Sequence, residues 1–287
     1  MTTINDQNIK ETVQEKYGEI AEKKRAEIPA GCCGASCGCG DTDIMADDYS
    51  GLKGYVPDAD LGLGCGLPTE FAKIKTGDTV IDLGSGAGND AFVARSVVGE
   101  TGKVIGVDFT SKMIARARTN AEKLKYSNVE FRLGDLEDLP VNENVADVVV
   151  SNCVFNLVPN KAKAFRETFR VLKPGGHFSI SDIVIEGTLP DELKKAAEMY
   201  VGCVAGAINK MDYLDMIYQA GFRKISLQKE KVIDLSDETI AAYLNEEQMK
   251  VYKESGPRIL SITVYGEKTG KSVFSKQEVC SEPGCCN

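Results

Sequence analysis

The segment Ile81-Asp82-Leu83-Gly84-Ser85-Gly86-Ala87-Gly88-Asn89-Asp90 decides the fold, because a short apolar strand passes through a glycine loop into a helix there. Glycine lets a backbone turn tightly and approach a ligand closely. In open α/β sheets, ligands bind at the strand ends, where this loop lies. A dinucleotide fingerprint needs glycine at its sixth position, and Asn89 stands there instead. The loop therefore favours a ligand without a pyrophosphate, and Asp82 can hold a cationic amino group.

From Thr79 onward, apolar strands alternate with helices. The strands are nearly continuous apolar runs, which is typical of parallel strands buried on both faces. The alternation predicts a doubly wound, Rossmann-like α/β sheet with helices on both faces. The predicted strands are Thr79–Leu83, Lys103–Asp108, Val129–Leu133, Ala146–Ser151 and Gly176–Ile185. The predicted helices are Asp90–Val98, Ser111–Lys125 and Lys161–Leu172, with Pro174-Gly175 expected to end the last one.

The flanking segments predict a helical, cysteine-rich arm before the sheet and a smaller, substrate-binding α+β part after it. A helix is expected from Ile9 to Ile28, ended by Pro29, and the tract GCCGASCGCG at Gly31–Gly40 is expected to be irregular. The C-terminal part is interpreted as an addition covering the open edge of the sheet. Its predicted elements are helices Asp191–Cys203, Lys210–Ala220 and Ser236–Lys253 and strands Phe222–Val232 and Ile259–Gly266. The predicted divisions are the arm (1–66), the sheet domain (67–185), a cap region (186–267) and a cysteine-containing tail (268–287).

Composition narrows the classes of partner. The chain has 287 residues, 43% of them hydrophobic and 27% charged, which suits one large domain or one domain with a smaller companion. Its net charge of -9 argues against nucleic acid and against an anionic membrane surface. A signal-like N-terminus and a run of about 18 apolar residues are both absent, so we expect no transmembrane helix and a cytoplasmic location. A monomer is the default expectation.

Ten cysteines stand against one histidine, His177. This count excludes any site with two histidine ligands and argues against a histidine-based triad. In a reducing compartment, such cysteines are interpreted as metal-binding or catalytic rather than as a disulfide framework. Seven of them lie in two terminal tracts, and three lie in the body of the chain: Cys65, Cys153 and Cys203.

Two further carboxylates follow strands that neighbour the glycine loop. Asp108 ends the second strand, where a carboxylate can accept hydrogen bonds from both ribose hydroxyls. Asp135 lies just past the third strand, where it can accept a hydrogen bond from an adenine amino group. Each position also has a purely structural interpretation, as a helix cap for Asp108 and as a turn residue for Asp135. A nucleoside ligand without phosphates, such as S-adenosylmethionine, explains both carboxylates together with the glycine loop.

Four motifs, IDLGSGAG, IGVDFT, RLGDLEDLP and VLKPGG, resemble those of class I S-adenosylmethionine-dependent methyltransferases. The resemblance covers roughly Thr76 to Ile185 and implies a Rossmann-like methyltransferase sheet. Together with the loop argument, it gives the predicted cofactor-binding set: Asp82, Gly84, Ser85, Gly86, Gly88, Asp108, Met113, Asp135, Leu136 and Asn152.

The body cysteines suggest the methyl acceptor. Cys153 follows the fourth strand at the cofactor crevice, Cys65 stands between two glycines, and Cys203 has small neighbours near a predicted helix end. The alternative for each is a buried apolar cysteine in the core. No general base is evident, since His177 lies at the far end of its strand. A soft acceptor with a lone pair and no proton needs no base, and trivalent arsenic bound by three thiolates is such an acceptor.

The segments LGLGCGLP, SNCVFNLVP and YVGCVAGA resemble the cysteine motifs of arsenite methyltransferases, and the match spans about Tyr49 to Phe222. The resemblance implies that Cys65, Cys153 and Cys203 bind As(III), as arsenite or its thiol conjugates. It also implies a further catalytic cysteine nearer the N-terminus, Cys32 or Cys33, with Cys33 as our candidate. Mono- and dimethylated arsenicals would be the products, and thioredoxin or glutathione the reductant.

Three alternatives stay open at this point. The terminal tracts, with vicinal pairs Cys32-Cys33 and Cys285-Cys286, either capture a soft ion or have no catalytic role. The enzyme could instead methylate a small quinone-like molecule, which would require a base and an apolar pocket. The chain could also be a thiol-rich metalloid-binding protein that transfers no methyl group.

Overall fold

The computed structural model of the chain describes residues 6–23, 47–188, 206–233 and 244–270. Helices and strands alternate through most of this part. The helices are α1 (Asp6–Glu22), α2 (Pro68–Phe71), α3 (Asn89–Val98), α4 (Ser111–Leu124), α5 (Lys161–Val171), α6 (Lys210–Gln219) and α7 (Glu246–Ser255). The strands are β1 (Thr79–Leu83), β2 (Lys103–Asp108), β3 (Val129–Leu133), β4 (Ala146–Asn152), β5 (Leu172–Glu186), β6 (Arg223–Ile233) and β7 (Arg258–Glu267).

The strands form one seven-stranded sheet in the order β3-β2-β1-β4-β5-β7-β6. The first five strands are parallel, and β7 lies antiparallel between β5 and β6. The predicted doubly wound α/β sheet is therefore confirmed. The order of the parallel strands reverses at β1, with β2 and β3 on one side of it and β4 and β5 on the other. The glycine loop follows β1 and therefore lies at this reversal, where open α/β sheets bind ligands. The C-terminal strands extend the β5 edge of this same sheet.

Successive side chains of the buried strands point to opposite faces of the sheet, which gives the fold a core on each side. In β1, Ile81 and Leu83 face a core that includes Phe165 of α5 and Tyr213 of α6. Val80 faces the opposite core, which contains side chains of α1, α3 and α4. Successive strand residues point to opposite faces, so an apolar run can supply both cores. Each fully buried Leu, Ile or Phe side chain contributes about 1.5–3 kcal/mol to stability.

Strand β5 begins earlier than predicted, because Leu172 pairs with Ala146 of β4, and Gly175 and Gly176 bond to Lys268, which directly follows β7. The Gly175 amide donates to the Lys268 carbonyl at 2.7 Å, and the Lys268 amide donates to the Gly176 carbonyl at 2.8 Å. The register against β4 shifts between Ala146 and Val148. A bulge of this kind accommodates a proline inside a strand. The prediction that Pro174-Gly175 separates helix from strand is therefore wrong.

Two predicted helices have different bounds in the structure. Helix α1 ends at Glu22 with a bend at Lys23, well before Pro29. Helix α7 begins at Glu246, after Asn245, so the prediction that one helix continues through Leu244 and Asn245 is wrong. The Asn245 side chain accepts from the Gln248 amide, and the Gln248 side chain accepts from the Asn245 amide. This capping box starts a helix at that position.

Several predictions fall outside the described residues. These are the cysteine-rich tract, helix Asp191–Cys203, the first part of helix Ser236–Lys253 and the cysteine-containing tail. Within the described ranges, no helix is both long enough and apolar enough to cross a bilayer.

Candidate active site

A cavity of about 300 Å³ opens at the carboxyl ends of the central strands. Its walls come from the ends of β1, β2 and β4, from helix α1 and from the segment that precedes α2. Most of the predicted cofactor-binding residues meet there. Those in the lining are Asp82, Gly84, Ser85, Gly86, Asp108, Met113, Leu136 and Asn152.

The glycine loop is shaped by bonds to the neighbouring strand. The amides of Gly84 and Ser85 both donate to the Val107 carbonyl, at 2.7 and 3.0 Å. Gly84 has φ +68° and packs so closely against Val154 that a Cβ atom would overlap that side chain. A Cβ on Gly86, with φ +50°, would meet no atom within 4 Å. The missing side chain of Gly84 thus makes room for Val154, whereas Gly86 borders open space.

Asp82 carries an unsatisfied buried oxygen at this cavity. Its Oδ2 atom is buried and has no hydrogen-bond partner among the described residues. Burial raises the pKa of the Asp82 carboxyl well above its ordinary value, and the charges of Asp90 and Asp108 raise it further. An unpaired buried carboxylate is costly unless it gains a partner. A cationic ligand group beside Asp82 would supply one.

Asp108 is held in place by two backbone amides. Its Oδ2 accepts from the Gly86 amide at 3.0 Å, and its Oδ1 accepts from the Thr110 amide at 2.8 Å. Burial raises the pKa of Asp108, although these two hydrogen bonds oppose the shift. The helix-cap interpretation of Asp108 is wrong, because Thr110 is the N-cap residue of α4 and Asp108 accepts from its amide. The Asp108 carboxylate borders the cavity.

Two predicted cofactor-binding residues lie outside the lining. The Asp135 carboxylate accepts from Lys10 Nζ at 2.6 Å and from the Glu137 amide at 2.9 Å. Its neighbour Leu136 reaches the cavity instead. Gly88 caps α3 with φ +101°, and a Cβ there would come within 2.7 Å of the Phe92 ring. Glycine is needed at this position because a side chain would overlap the Phe92 ring.

Helix α1 closes one side of the cavity, which sequence analysis did not foresee. Tyr17 lines the cavity, and Gln14 Nε2 donates to the Phe109 carbonyl at 2.8 Å. Lys10, which lies on the same helix as Gln14 and Tyr17, forms ion pairs with Asp135 and Glu137. These contacts join segments about 100 residues apart in sequence, and no local pattern reveals them. Other lining residues that the sequence did not suggest are Asp47, Asp48, Tyr49, Ala59, Asp60, Leu61, Gly62, Leu63, Gly64, Ala87, Asn89, Asp90, Phe109, Thr110, Val154 and Leu157.

Two of the four predicted catalytic cysteines lie in the described part of the chain, and both are buried together. Cys153 is 3% exposed and lines the cavity, whereas Cys65 is 1% exposed and lies behind the lining. They share a buried cluster with Ile183 and Ala207, and neither forms a disulfide. Cys203 and Cys33 fall outside the described residues.

The backbone of Cys153 adopts an uncommon conformation. Its φ of +61° lies in the left-handed region, which residues other than glycine seldom occupy. Its amide donates to the Ser181 carbonyl of β5 at 2.8 Å, so the sheet holds this conformation. Such local strain concentrates at functional sites.

Glycines on both sides of Cys65 allow the surrounding protein to close on it. A Cβ on Gly64 would lie 2.5 Å from Asn152 Nδ2, and one on Gly66 would lie 2.6 Å from Ser181 Oγ. The Cys65 amide donates to Asn152 Oδ1 at 3.0 Å. Ser261 Oγ donates to the Cys65 carbonyl at 2.6 Å. Both polar groups of the Cys65 backbone are therefore fixed.

Among the residues that the structure describes, no histidine and no lysine lines the cavity. The only histidine, His177, has Nε2 2.6 Å from the Ala72 carbonyl and lies on β5 at the opposite end from Cys153. Among the described residues, no three His, Cys, Asp or Glu side chains form a metal site. The arrangement is thus an acidic, partly apolar cavity with buried thiols at one end and without an ordinary nitrogen base.

Comparisons with known proteins agree with this geometry. The family described as "Methyltransferase domain" matches residues 74–221. An arsenite methyltransferase of Halobacterium salinarum is 41% identical over 238 residues, covering 79% of this chain and 61% of that relative. An arsenite methyltransferase of Aquipseudomonas alcaligenes is 34% identical over 244 residues, covering 82% of this chain and 68% of that relative.

A solved structure shares the fold. The X-ray structure of an arsenic(III) S-adenosylmethionine methyltransferase from Chlamydomonas reinhardtii aligns with a TM-score of 0.62 and 33% sequence identity. The alignment covers 73% of this chain and 69% of that one. This chain therefore spans between 61% and 69% of the length of these three proteins.

Proposed function

Because the chain belongs to the arsenite methyltransferase family of methyltransferases, we propose that it transfers a methyl group from S-adenosylmethionine to thiolate-bound As(III). The observation that carries this proposal is the burial of Cys65 and Cys153 in one cluster at the end of the cavity. Two thiols at the end of a cavity with an unsatisfied carboxylate suit a soft acceptor beside a cationic donor.

The residues of the cavity fit S-adenosylmethionine. The unpartnered Asp82 Oδ2 suits its cationic amino group, and Asp108 suits its ribose hydroxyls. Met113 and Leu136 are buried apolar walls that suit its adenine ring. The volume of about 300 Å³ is at the small end of the usual range for ligand pockets. When bound, the cofactor supplies an electrophilic methyl group on a sulfonium.

The thiols would bind and orient the acceptor. Trivalent arsenic is thiophilic and keeps a lone pair when three sulfur atoms bind it. That lone pair would form the new bond to the methyl carbon while the bond from the sulfonium sulfur to this carbon breaks and S-adenosylhomocysteine leaves. No side chain has to remove a proton from the acceptor. Positioning by Cys153 and Cys65 then provides much of the catalysis, since a fixed geometry replaces a random encounter.

Cys203 is proposed as the third arsenic ligand. Ala207, four residues further along the chain, packs in the same buried cluster as Cys65 and Cys153. The family resemblance is the support for a role of Cys33 in catalysis and for Asp135 and Gly88 in cofactor binding.

The remaining parts of the proposal follow from the thiol chemistry. The products are mono- and dimethylated arsenicals, and the substrate is arsenite or its thiol conjugates. Thioredoxin or glutathione would restore cysteines that become oxidised. A reducing, cytoplasmic setting suits catalytic thiols.

A labelled-methyl assay tests the proposal. Protein, arsenite, a thiol reductant and S-adenosylmethionine carrying a labelled methyl group should yield labelled methylarsenicals. Cys153→Ser should lower the yield at least about 100-fold while S-adenosylmethionine still binds, because positioning effects reach this size. His177→Gln is the control and should keep the yield. Full methylation of arsenite by Cys153→Ser would rule out Cys153 as an arsenic ligand, and arsenite binding without labelled product would favour a metalloid-binding protein.

A further inference from the structure

A buried hydrogen-bond network lies between the cofactor cavity and Cys65. Tyr49 is 4% exposed, and its hydroxyl lies 3.0 and 2.9 Å from the two carboxylate oxygens of Asp90. Asn152 Nδ2 donates to the Tyr49 hydroxyl oxygen at 2.5 Å. All three side chains line the cavity. The network therefore borders the space where the cofactor is proposed to bind.

At its other end, the same network holds the thiol segment. Asn152 Oδ1 accepts from the Cys65 amide at 3.0 Å, and Asn152 Nδ2 donates to the Gly66 carbonyl at 2.7 Å. The Asn152 carboxamide thus binds both the backbone amide of Cys65 and the backbone carbonyl of Gly66. The missing Cβ of Gly64, which would lie 2.5 Å from Asn152 Nδ2, permits this approach. A shift of Asn152 would therefore move Cys65.

We propose that Tyr49 and Asp90 are positioning residues that couple occupancy of the cofactor cavity to the placement of Cys65 for arsenic. The inference rests on the proposed function, because it assigns roles at the same site. Tyr49 reaches the thiol segment through Asn152, which holds the Cys65 amide, and through its own hydroxyl, which lies 3.1 Å from the Gly66 carbonyl. Asp90 reaches it through Tyr49 and Asn152.

The electrostatics of the cavity give the coupling its physical cause. Burial raises the pKa of Asp90 to about 6, and burial with the charge of Asp90 raises that of Asp82 well above its ordinary value. A cationic ligand group relieves the repulsion between the two carboxylates. The bond from Tyr49 to an ionised Asp90 is then charge-assisted and roughly twice as strong as a neutral one. A Tyr49 hydroxyl that is held more tightly restrains the Asn152 side chain. Asn152 in turn restrains the Cys65 amide.

Binding measurements without turnover test this coupling. S-adenosylhomocysteine, which has the amino group but no methyl to transfer, should tighten arsenite binding to the wild-type chain by about 10-fold. Arsenite should tighten S-adenosylhomocysteine binding by the same factor, since coupling free energies are reciprocal. In Tyr49→Phe, both factors should fall below about 2-fold. Tyr265→Phe, which removes the part-buried hydrogen bond from a tyrosine hydroxyl to the Glu267 carboxylate, should keep the wild-type factor.

A second measurement needs no arsenic. Alkylation of Cys65 by iodoacetamide, followed by peptide mass spectrometry, should slow by about 10-fold when S-adenosylhomocysteine is added to the wild-type chain. The slowing should disappear in Tyr49→Phe and in Asp90→Asn. If Tyr49→Phe does not fold, Asp90→Asn alone provides the test. A slowing retained in folded variants overturns the inference. A wild-type chain that binds no arsenite refutes the proposed function instead, while the alkylation result still decides the coupling.

Discussion

Two glycine-rich loops border the candidate site, and they use glycine in opposite ways. Around Gly86 the backbone faces open space, because a Cβ there would meet no atom within 4 Å. Around Cys65 the backbone is enclosed, because Cβ atoms on Gly64 and Gly66 would meet Asn152 and Ser181. In the sequence, the glycines of both loops indicate only that another group approaches the backbone closely. The first loop leaves room for a ligand, whereas the second makes room for the protein itself.

This contrast explains why the two loops differ in exposure. The glycine loop lines the cavity, but Cys65 is buried behind the lining with both backbone polar groups bonded. A flexible thiol loop would lose conformational freedom when it bound arsenic. A loop that is already fixed avoids most of that loss. The enclosing glycines therefore serve preorganisation of the thiol.

The largest expected effect comes from Gly84, the residue of the glycine loop at which an added Cβ would lie closest to a protein side chain, 2.2 Å from Val154. Gly84→Ala places a methyl group into the Val154 side chain and forces φ +68° on a residue with a Cβ. The combined strain and overpacking should lower the free energy of unfolding by about 3 kcal/mol. Urea unfolding followed by circular dichroism measures it. A loss below about 0.5 kcal/mol would mean that Val154 and the loop move apart easily.

An intermediate effect is expected in the thiol loop. Gly66→Ala brings a Cβ to 2.6 Å from Ser181 Oγ, so the loop must shift away from β5. We expect a loss of about 2 kcal/mol in the free energy of unfolding, and weaker arsenite binding, because the Cys65 backbone moves. Gly51→Ala is the matched control, since its Cβ would meet nothing within 4 Å. Equal unfolding curves for the two variants would contradict the enclosed character of the thiol loop.

The smallest stability effect should accompany a clear loss of cofactor binding. Gly86→Ala costs about 1 kcal/mol for its positive φ, and its methyl group extends into the cavity. Isothermal titration should give S-adenosylhomocysteine a Kd about 10-fold weaker, a change of about 1.4 kcal/mol. Gly175→Ala, also at positive φ with open space around it, pays the same backbone cost away from the cavity. If both variants bind the cofactor equally, the glycine loop is not the cofactor loop.

Much of the sheet could be predicted from local sequence patterns. Strands β1 and β2 have the predicted bounds, because an apolar run between a helix and a turn has few other stable arrangements. The beginning of β5 could not be predicted, since Pro174 and Gly175 are local signals of a break. Pairing with Lys268, which lies far away in sequence, overrides those signals.

At the site, the sequence indicated residue types, and the fold decided their neighbours. Asp108 and Asp135 follow adjacent strands and have similar local contexts, but only Asp108 borders the cavity. Lys10 of α1 binds the Asp135 carboxylate, and this contact depends on the docking of a distant helix. The same docking brings Tyr17 to the cavity.

The sequence by itself determined the class of sheet, the position of the glycine loop and the cysteines that deserve testing, because these depend on patterns within a few residues. Only the tertiary structure decided that Cys65 is enclosed, that Asn152 clamps it and that Tyr49 and Asp90 connect it to the cavity. Tyr49 and Asn152 are about 100 residues apart in sequence, and they touch because β4 ends beside the segment before α2. Contacts of this kind follow from the path of the whole chain.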